Sequence, residues 1–556
     1  MKTKLTIILS LSLVIHAYAG SATWNLNSTN GDWNTAANWT PHTVPNGLTD
    51  IATFDTSSIT QVSNQKLIVL ASIEFAPNAS VFTISISDGG ELEIGSGIEN
   101  NSGSVQNFEV DGLPLGAPML FFNGATAGTL TNYTVAGSVI YFRETSSADN
   151  ATFNNNNSVG GGEEFDDESS AGNAVFTNND QGGVGFYYSS TAGHATFIDN
   201  PGEHSPAGGE TGFHFSSNAG ESTIINNGST TNISGFGCAT FEDSSNAADA
   251  TIINNGSSVD EGTGGMTVFT LDSGAGNSTL IANGGTNGGG GGTIQFKLRS
   301  TGDTSRAQVF GNGSLSIVGH DAPGVAIGSL EGDGLVFLGN LNLSVGSNNL
   351  STIFSGLIQG SSEGHQGALT KIGSGALMLT GANTYTGGTT IEGGNLVVNN
   401  RTGSATGSGP VQINAGRLGG PGIIAGSVVV GTGSGSAAVL VPRRRGGKPD
   451  TLTIQSEVTF NSNASFRCGL DTEIAKAAKI VANGIVINSA RFSLLDCCGL
   501  SLRPGKVLTV LDNTSANSIT GTFANLPDGG TITIGSNTFQ ANYEGGNGND
   551  LTLTVQ

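Results

Sequence analysis

Seven side chains, cationic, anionic, aromatic and hydroxyl among them, stand immediately after a repeated phenylalanine: Arg143, Asp166, Tyr187, His214, Glu242, Thr270 and Lys297. If the phenylalanines point inward on strands, their followers form an outward stripe, because successive strand residues face opposite sides. Acid/base chemistry on such a stripe would draw on His194, His204 and His214, and a Ca²⁺ ion on Asp166, Glu163, Glu164 and Glu168 beside Glu144. A glycosidase needs two carboxylates at a controlled separation and a lyase needs a base near a bound cation; the spacing here singles out no such pair. Gly545-Gly-Asn-Gly-Asn-Asp550 fits one turn of a Ca²⁺-binding nonapeptide, but a calcium roll builds each site from consecutive copies, so a closing turn is expected there. Gly288 to Gly292 lacks the Lys-Ser/Thr of a phosphate loop. No catalytic, cofactor-binding or metal-ligating residues are assigned. The runner-up reading is a polysaccharide-acting lyase or glycoside hydrolase.

The elements that would carry this stripe are written into a repeat. Phe142, Phe165, Phe186, Phe213, Phe241, Phe269 and Phe296 follow one another at 21 to 28 residues, with Met119 in the same slot one unit earlier. Such uneven steps suit stacked strands joined by variable loops. A second apolar position follows at Phe153, Phe176, Phe197, Ile224, Ile252, Leu280 and Val309, and then an asparagine at Asn156, Asn179, Asn200, Asn227, Asn255, Asn283 and Asn312. An Asn amide can both donate to and accept from a copy of itself one strand spacing away, so these seven are expected to form a structural file. No single coil could bury its own apolar face; stacked coils make the core continuous, which is the logic of a parallel β-helix.

Composition agrees with an all-β solenoid. The 556 residues include 87 Gly and 14 Pro and are 11% charged, with short Thr, Val, Ile and Phe runs bounded by Gly, Asn and Ser. Met1 to Ala19 reads as a secretory signal: Lys2 and Lys4, the apolar run Leu5 to Ile15, then Ala17-Tyr18-Ala19. No later run is long and apolar enough for a membrane-spanning helix. The formal net charge of -23 argues against nucleic acid and anionic membranes as partners. About eighteen carboxylates fall between Glu144 and Asp272, a face that would repel polyanions unless divalent cations bridged them. Four cysteines, Cys238, Cys468, Cys497 and Cys498, are too few for disulfides to be the main support; one of the adjacent pair could meet Cys468 across coils.

In order, the chain reads as a signal (1–19), an N-terminal β cap with Trp24, Trp33 and Trp39 as its plug (20–110), the regular helix (111–318), further coils (319–368), a distinct glycine-rich motif (369–400) and C-terminal coils with a closing strand (401–556). The basic run Val441 to Lys448 is read as an exposed loop.

The distinct motif is Leu369-Thr-Lys371, Gly375, Leu377, Leu379, Gly381-Ala-Asn-Thr-Tyr-Thr-Gly387 and the Gly393-Gly394 turn. It closely resembles the autotransporter-associated β-strand repeat, the passenger-associated repeat of bacterial type V secretion passengers. Flanking matches run through Leu350 to Gln359, Gly407 to Val430 and Ala541 to Thr554. The resemblance implies a right-handed parallel β-helix, exported and directed to the surface, and names no enzyme activity. A conventional autotransporter ends in a membrane β-barrel, whereas here the last match closes on Leu551 to Gln556, so no barrel of its own is expected. A separate export machinery is the expected partner, with glycans or other copies of the chain as ligands and an adhesin-like or matrix role. The destination is secreted or cell-surface, or alternatively the periplasm.

Overall fold

The computed structural model describes residues 20–87, 89–112, 119–202, 207–231, 235–361, 366–442 and 448–556, with the side chains of 157–160 excepted. The signal segment, His204 and the three arginines of the basic run lie outside the described residues. Two compact units are present, one formed by Met1–Asn155 with Gly160–Val175 and the other by Asn156–Val159 with Phe176–Gln556.

Both units are parallel β-helices. In the first, Val139–Phe142 pairs in parallel with Met119–Phe121, placing Phe142 beside Phe121, and on its other side Phe142 registers with Phe165. The rings stack at 4.9 and 4.6 Å between centroids, within 6° of parallel. In the second unit, Glu210–Phe213, Cys238–Phe241, Met266–Phe269 and Thr293–Phe296 pair with no offset. Phe186, Phe213, Phe241, Phe269 and Phe296 then form a stack with 4.6 to 5.0 Å steps. Cys238–Phe241, Met266–Phe269 and Thr293–Phe296 alternate half-exposed and buried positions, the signature of a sheet with one face on the core, while Glu210–Phe213 is buried from Thr211 onward. Register is fixed because a one-residue slip would turn every phenylalanine to solvent.

At the start of the first unit, Trp24, Trp33 and Trp39 are fully buried around Phe54, with Trp24 and Trp33 each 5.0 Å from Trp39. Trp39 Nε1 donates to Trp33 O at 2.7 Å and Trp24 Nε1 to Ile59 O at 3.0 Å. Buried rings offer no sugar a stacking surface, so their service is packing. At the other end of the chain, the parallel pattern gives way to antiparallel strands: Val507–Asn513 pairs with Asp550–Val555, and that strand with Asn537–Gly545, which pairs with Thr531–Ile534. Asp550, in the nonapeptide-like run, accepts the Asn513 backbone N–H at 2.9 Å and sits at the base of a turn through Gly546 and Gly548.

The cysteines do not meet across coils. Cys468 is buried in Ala464–Asp471 with Leu494 as its register partner, whereas Cys497 and Cys498 lie beyond the end of Arg491–Asp496, exposed and side by side. The strand alternation that would have turned one of the pair toward Cys468 ends at Asp496.

Candidate functional site

The carboxylates that could have formed a Ca²⁺ cluster do not converge. Glu163 points into the core, where Asn155 Nδ2 donates to it at 2.7 Å and burial pushes its carboxyl up to about 8. Glu164, next along the strand, faces outward. Arg143 Nε reaches Asp166 at 3.4 Å, and Glu144 turns away to accept the Asn123 backbone N–H at 2.8 Å. Neither of the described histidines of the 194–214 stretch sits in a cleft with two carboxylates: His194 meets Glu221 at 3.6 Å and His214 meets Glu242 at 3.5 Å. His320 ties its turn to the preceding coil, with its ring nitrogens 2.6 Å from Asp321 O and 2.8 Å from Ser300 O.

The asparagines form hydrogen bonds from coil to coil. Asn179 donates to Asn156, Asn200 to Asn179, Asn227 to Asn200 and Asn255 to Asn227, each at 2.9 Å, and Asn283 donates to Asn255 at 3.0 Å. Asn312 departs: its Nδ2 donates to Gly289 O at 2.8 Å and its Oδ1 accepts the Gly285 N–H at 2.6 Å. A second polar file, fully buried, lies one residue earlier. Asn178 donates to Asp199 at 2.6 Å, and Asn226 to Asn254 at 2.7 Å. The doublets at 178–179, 199–200, 226–227 and 254–255 were its signal, since alternation must send one member of each inward.

The residues one place after phenylalanine do gather at two coils. Tyr187 and His214 stack at 4.9 Å and 9°. Both rings fold back flat over the outer face of the sheet, which requires glycine beneath: a Cβ at Gly185 would lie 2.8 Å from the Tyr187 ring, and one at Gly212 would lie 3.1 Å from His214 Nε2. The next residues, Tyr188 and Phe215, form a parallel stack at 5.0 Å and 5°, and they are 54% and 47% exposed. Both occupy the left-handed region, with φ 56° and 54°. Bulky L-residues there carry a penalty of roughly 1–2 kcal/mol each. The same turn takes positive φ in every coil of the series, at Asn123, Glu144, Asp167, Asp243, Leu271 and Leu298, so the left-handed backbone belongs to the repeat and the exposed stacked rings are what set these two coils apart.

Neighbouring coils hold the strain in place: Ser216 N donates to Tyr188 O at 3.0 Å, Ser244 N to Phe215 O at 2.9 Å, and Phe215 N to Asp243 Oδ2 at 3.1 Å. Four rings from two adjacent coils thus make a solvent-facing platform, bordered by Glu242 and Asp243. The repeated hexapeptides Gly185-Phe-Tyr-Tyr-Ser-Ser190 and Gly212-Phe-His-Phe-Ser-Ser217 were the sequence signal for it. Exposed ring edges beside carboxylates and a phenol present apolar and hydrogen-bonding surface together.

The glycine-rich motif folds as Ala368–Lys371, Ala376–Leu379, Thr389–Ile391 and Asn395–Val398. Its polar residues serve the backbone. Asn383 accepts the Ile358 N–H at 2.8 Å and donates to Ala405 O at 2.6 Å, joining the coils before and after its own. The buried Tyr385 hydroxyl lies 2.7 Å from Thr389 Oγ1. Lys371, 1% exposed, donates its ammonium to Ile372 O and Gly373 O, and burial lowers its pKa to about 8. Over the outward face runs a groove of about 580 Å³ floored by Ile353, Met378 and Val397, with Arg417 and Arg467 among its lining. No carboxylate or histidine lines it among the described residues.

Comparison with known proteins agrees with this geometry. Residues 369–398 match the passenger-associated-transport-repeat family. Over 113 residues the chain is 37% identical to the adhesin BmaC autotransporter of Brucella suis biovar 1 (strain 1330). That stretch is 19% of this chain and 3% of the relative, so the chain spans a small fraction of that protein's length. The chain thus carries a passenger-associated-transport repeat seated within the coils of an all-β solenoid and is similar over a short stretch to an autotransporter adhesin.

Proposed function

We propose that the protein is an exported, surface or extracellular passenger-type β-helix that acts without catalysis, as an adhesin-like binder of glycans. The observation that carries this reading is the exposed platform of Tyr187, Tyr188, His214 and Phe215, stacked in two pairs across adjacent coils. Large rings left half-exposed in a stack across two coils, where other coils place Asp, Glu, Asn or Leu, bury little against the core and support a ligand-binding role. The passenger repeat and the similarity to an adhesin autotransporter support the surface assignment, and a passenger implies a translocating partner. Association with further copies of the chain is the other ligand that flat repetitive faces suit.

The test is a screen of the purified chain against neutral and uronate-bearing polysaccharides, with and without Ca²⁺, reading both retention and cleavage. Retention without release of new sugar ends is the expected result. Turnover of a polysaccharide, or failure to retain any, would overturn the reading.

A further inference from the structure

Cys497, Cys498 and Asp471 come together on two adjacent coils, away from the aromatic platform. The parallel pairing of Ala464–Asp471 with Arg491–Asp496 sets Leu470 beside Asp496, and Cys497 N donates to Leu470 O at 3.0 Å. The chain then bends. Asp496 stabilises the bend by accepting from Cys498 N and Gly499 N, each at 3.1 Å, and from the Thr472 hydroxyl at 3.1 Å. The bend brings both sulfurs to one side, 2.8 Å apart, with Cys498 Sγ 3.5 Å from Asp471 Oδ1. All three ligand atoms lie within 4.8 Å of one another.

Asp471 is held rigidly: Oδ1 accepts the backbone N–H groups of Glu473 and Ile474 at 3.1 and 3.3 Å, and the residue is 3% exposed. The cysteines are exposed, so an ion has an entry path. Among the described residues no other set of three such ligands comes this close.

We propose that Asp471, Cys497 and Cys498 form a three-ligand site for a zinc-class divalent cation. Two sulfurs and one carboxylate oxygen match the ligand preference of Zn²⁺, and three protein ligands leave the fourth tetrahedral position to water. Thiolates on a tetrahedral zinc at about 2.3 Å sit roughly 3.8 Å apart, so the sulfurs must part by about 1 Å, a change within the reach of two exposed χ1 rotations. Binding releases one proton from each thiol to solvent, and no redox step is involved. The ion would cross-link consecutive coils just ahead of the antiparallel closing strands.

The experiment uses the full chain, reduced and stripped of metal, titrated with Co²⁺ as a spectroscopic stand-in and then with Zn²⁺. Expected is a sulfur-to-cobalt charge-transfer absorption saturating at one ion per chain, bleached by Zn²⁺, with the two exposed thiols protected from a thiol reagent once Zn²⁺ is bound. C497S and C498S abolish the absorption, C468S leaves it intact, and Asp471→Asn weakens affinity by roughly tenfold or more. Thermal unfolding of each apo variant establishes that loss of the signal is not loss of fold. Absence of the absorption in the reduced native chain, its persistence in C497S/C498S, or closure of the pair to a disulfide despite bound-level Zn²⁺ would overturn the proposal.

Discussion

Thr211 Oγ1 lies 2.9 Å from one oxygen of the Asp199 carboxylate and 3.1 Å from the other, inside the core of the second unit and wholly out of contact with water. Asp199 stands in register with Asn226, which in turn registers with Asn254, so an acid fills a slot its neighbours give to an amide. Asn226 Oδ1 is buried without a partner among the described residues. Burial pushes the Asp199 carboxyl up to about 7, against hydrogen bonds from Asn178 and Thr211 that favour the charged form.

The sign of the resulting pH dependence follows. A carboxyl whose folded pKa is raised binds its proton more tightly in the folded chain, so its contribution is most favourable below the unfolded value of 3.8 and is lost as pH climbs to about 7. Asp199→Asn should therefore raise the unfolding free energy at pH 8, by an amount on the order of a few kcal/mol, and change it far less at pH 4. Chemical unfolding of both proteins across that range checks it.

A second prediction concerns a corner of the coil. Gly172, Gly193, Gly220 and Gly276 take φ of 58 to 61° at equivalent turns, where Ala248 takes 49°. Ala248→Gly should stabilise by about 0.5–1 kcal/mol, since glycine escapes the left-handed penalty. A thermal scan of the single variant reads it.

In the passenger repeat, Asn383 is 5% exposed and its amide satisfies Ile358 N and Ala405 O on either side. Asn383→Ala leaves a buried donor and a buried acceptor unpaired and should cost about 2–4 kcal/mol. The loss should show as faster proteolysis of the surrounding coils and an earlier unfolding midpoint.

Within the stack, Phe241 lies 4.6 Å from Phe213 and 4.8 Å from Phe269. Phe241→Ala opens a hole that its strand-held neighbours cannot close, at about 3–5 kcal/mol. Asn227→Ala, which strands the Asn200 and Asn255 amides in part-exposed positions, should cost less, about 1–2 kcal/mol. Paired urea titrations order the two.

The fold was legible because period-two alternation and a phenylalanine every 21 to 28 residues admit few arrangements other than stacked coils. Which member of each Asn doublet faces the core was not, because 178 and 179, or 226 and 227, look alike in type and differ only in strand phase. The hexapeptides that hold Tyr188 and Phe215 announce a likeness between two coils but not that these side chains stack outward, for a related reason. Both residues follow the strand, where a turn bends the chain and the alternation rule no longer says where side chains go. The meeting of Asp471 with Cys498, 27 residues apart, depends likewise on a bend that no local pattern announces.

The platform carries the functional reading, and its outer rings can be removed without touching the core. The double variant Tyr188→Ala/Phe215→Ala keeps the Cβ at both left-handed positions and removes only exposed rings, so its unfolding midpoint should change little. Its affinity for the retained polysaccharide, measured by titration calorimetry beside the native chain, should fall by roughly tenfold or more, as expected for lost aromatic contacts at the centre of a binding surface. Equal affinity in the two proteins would contradict the account.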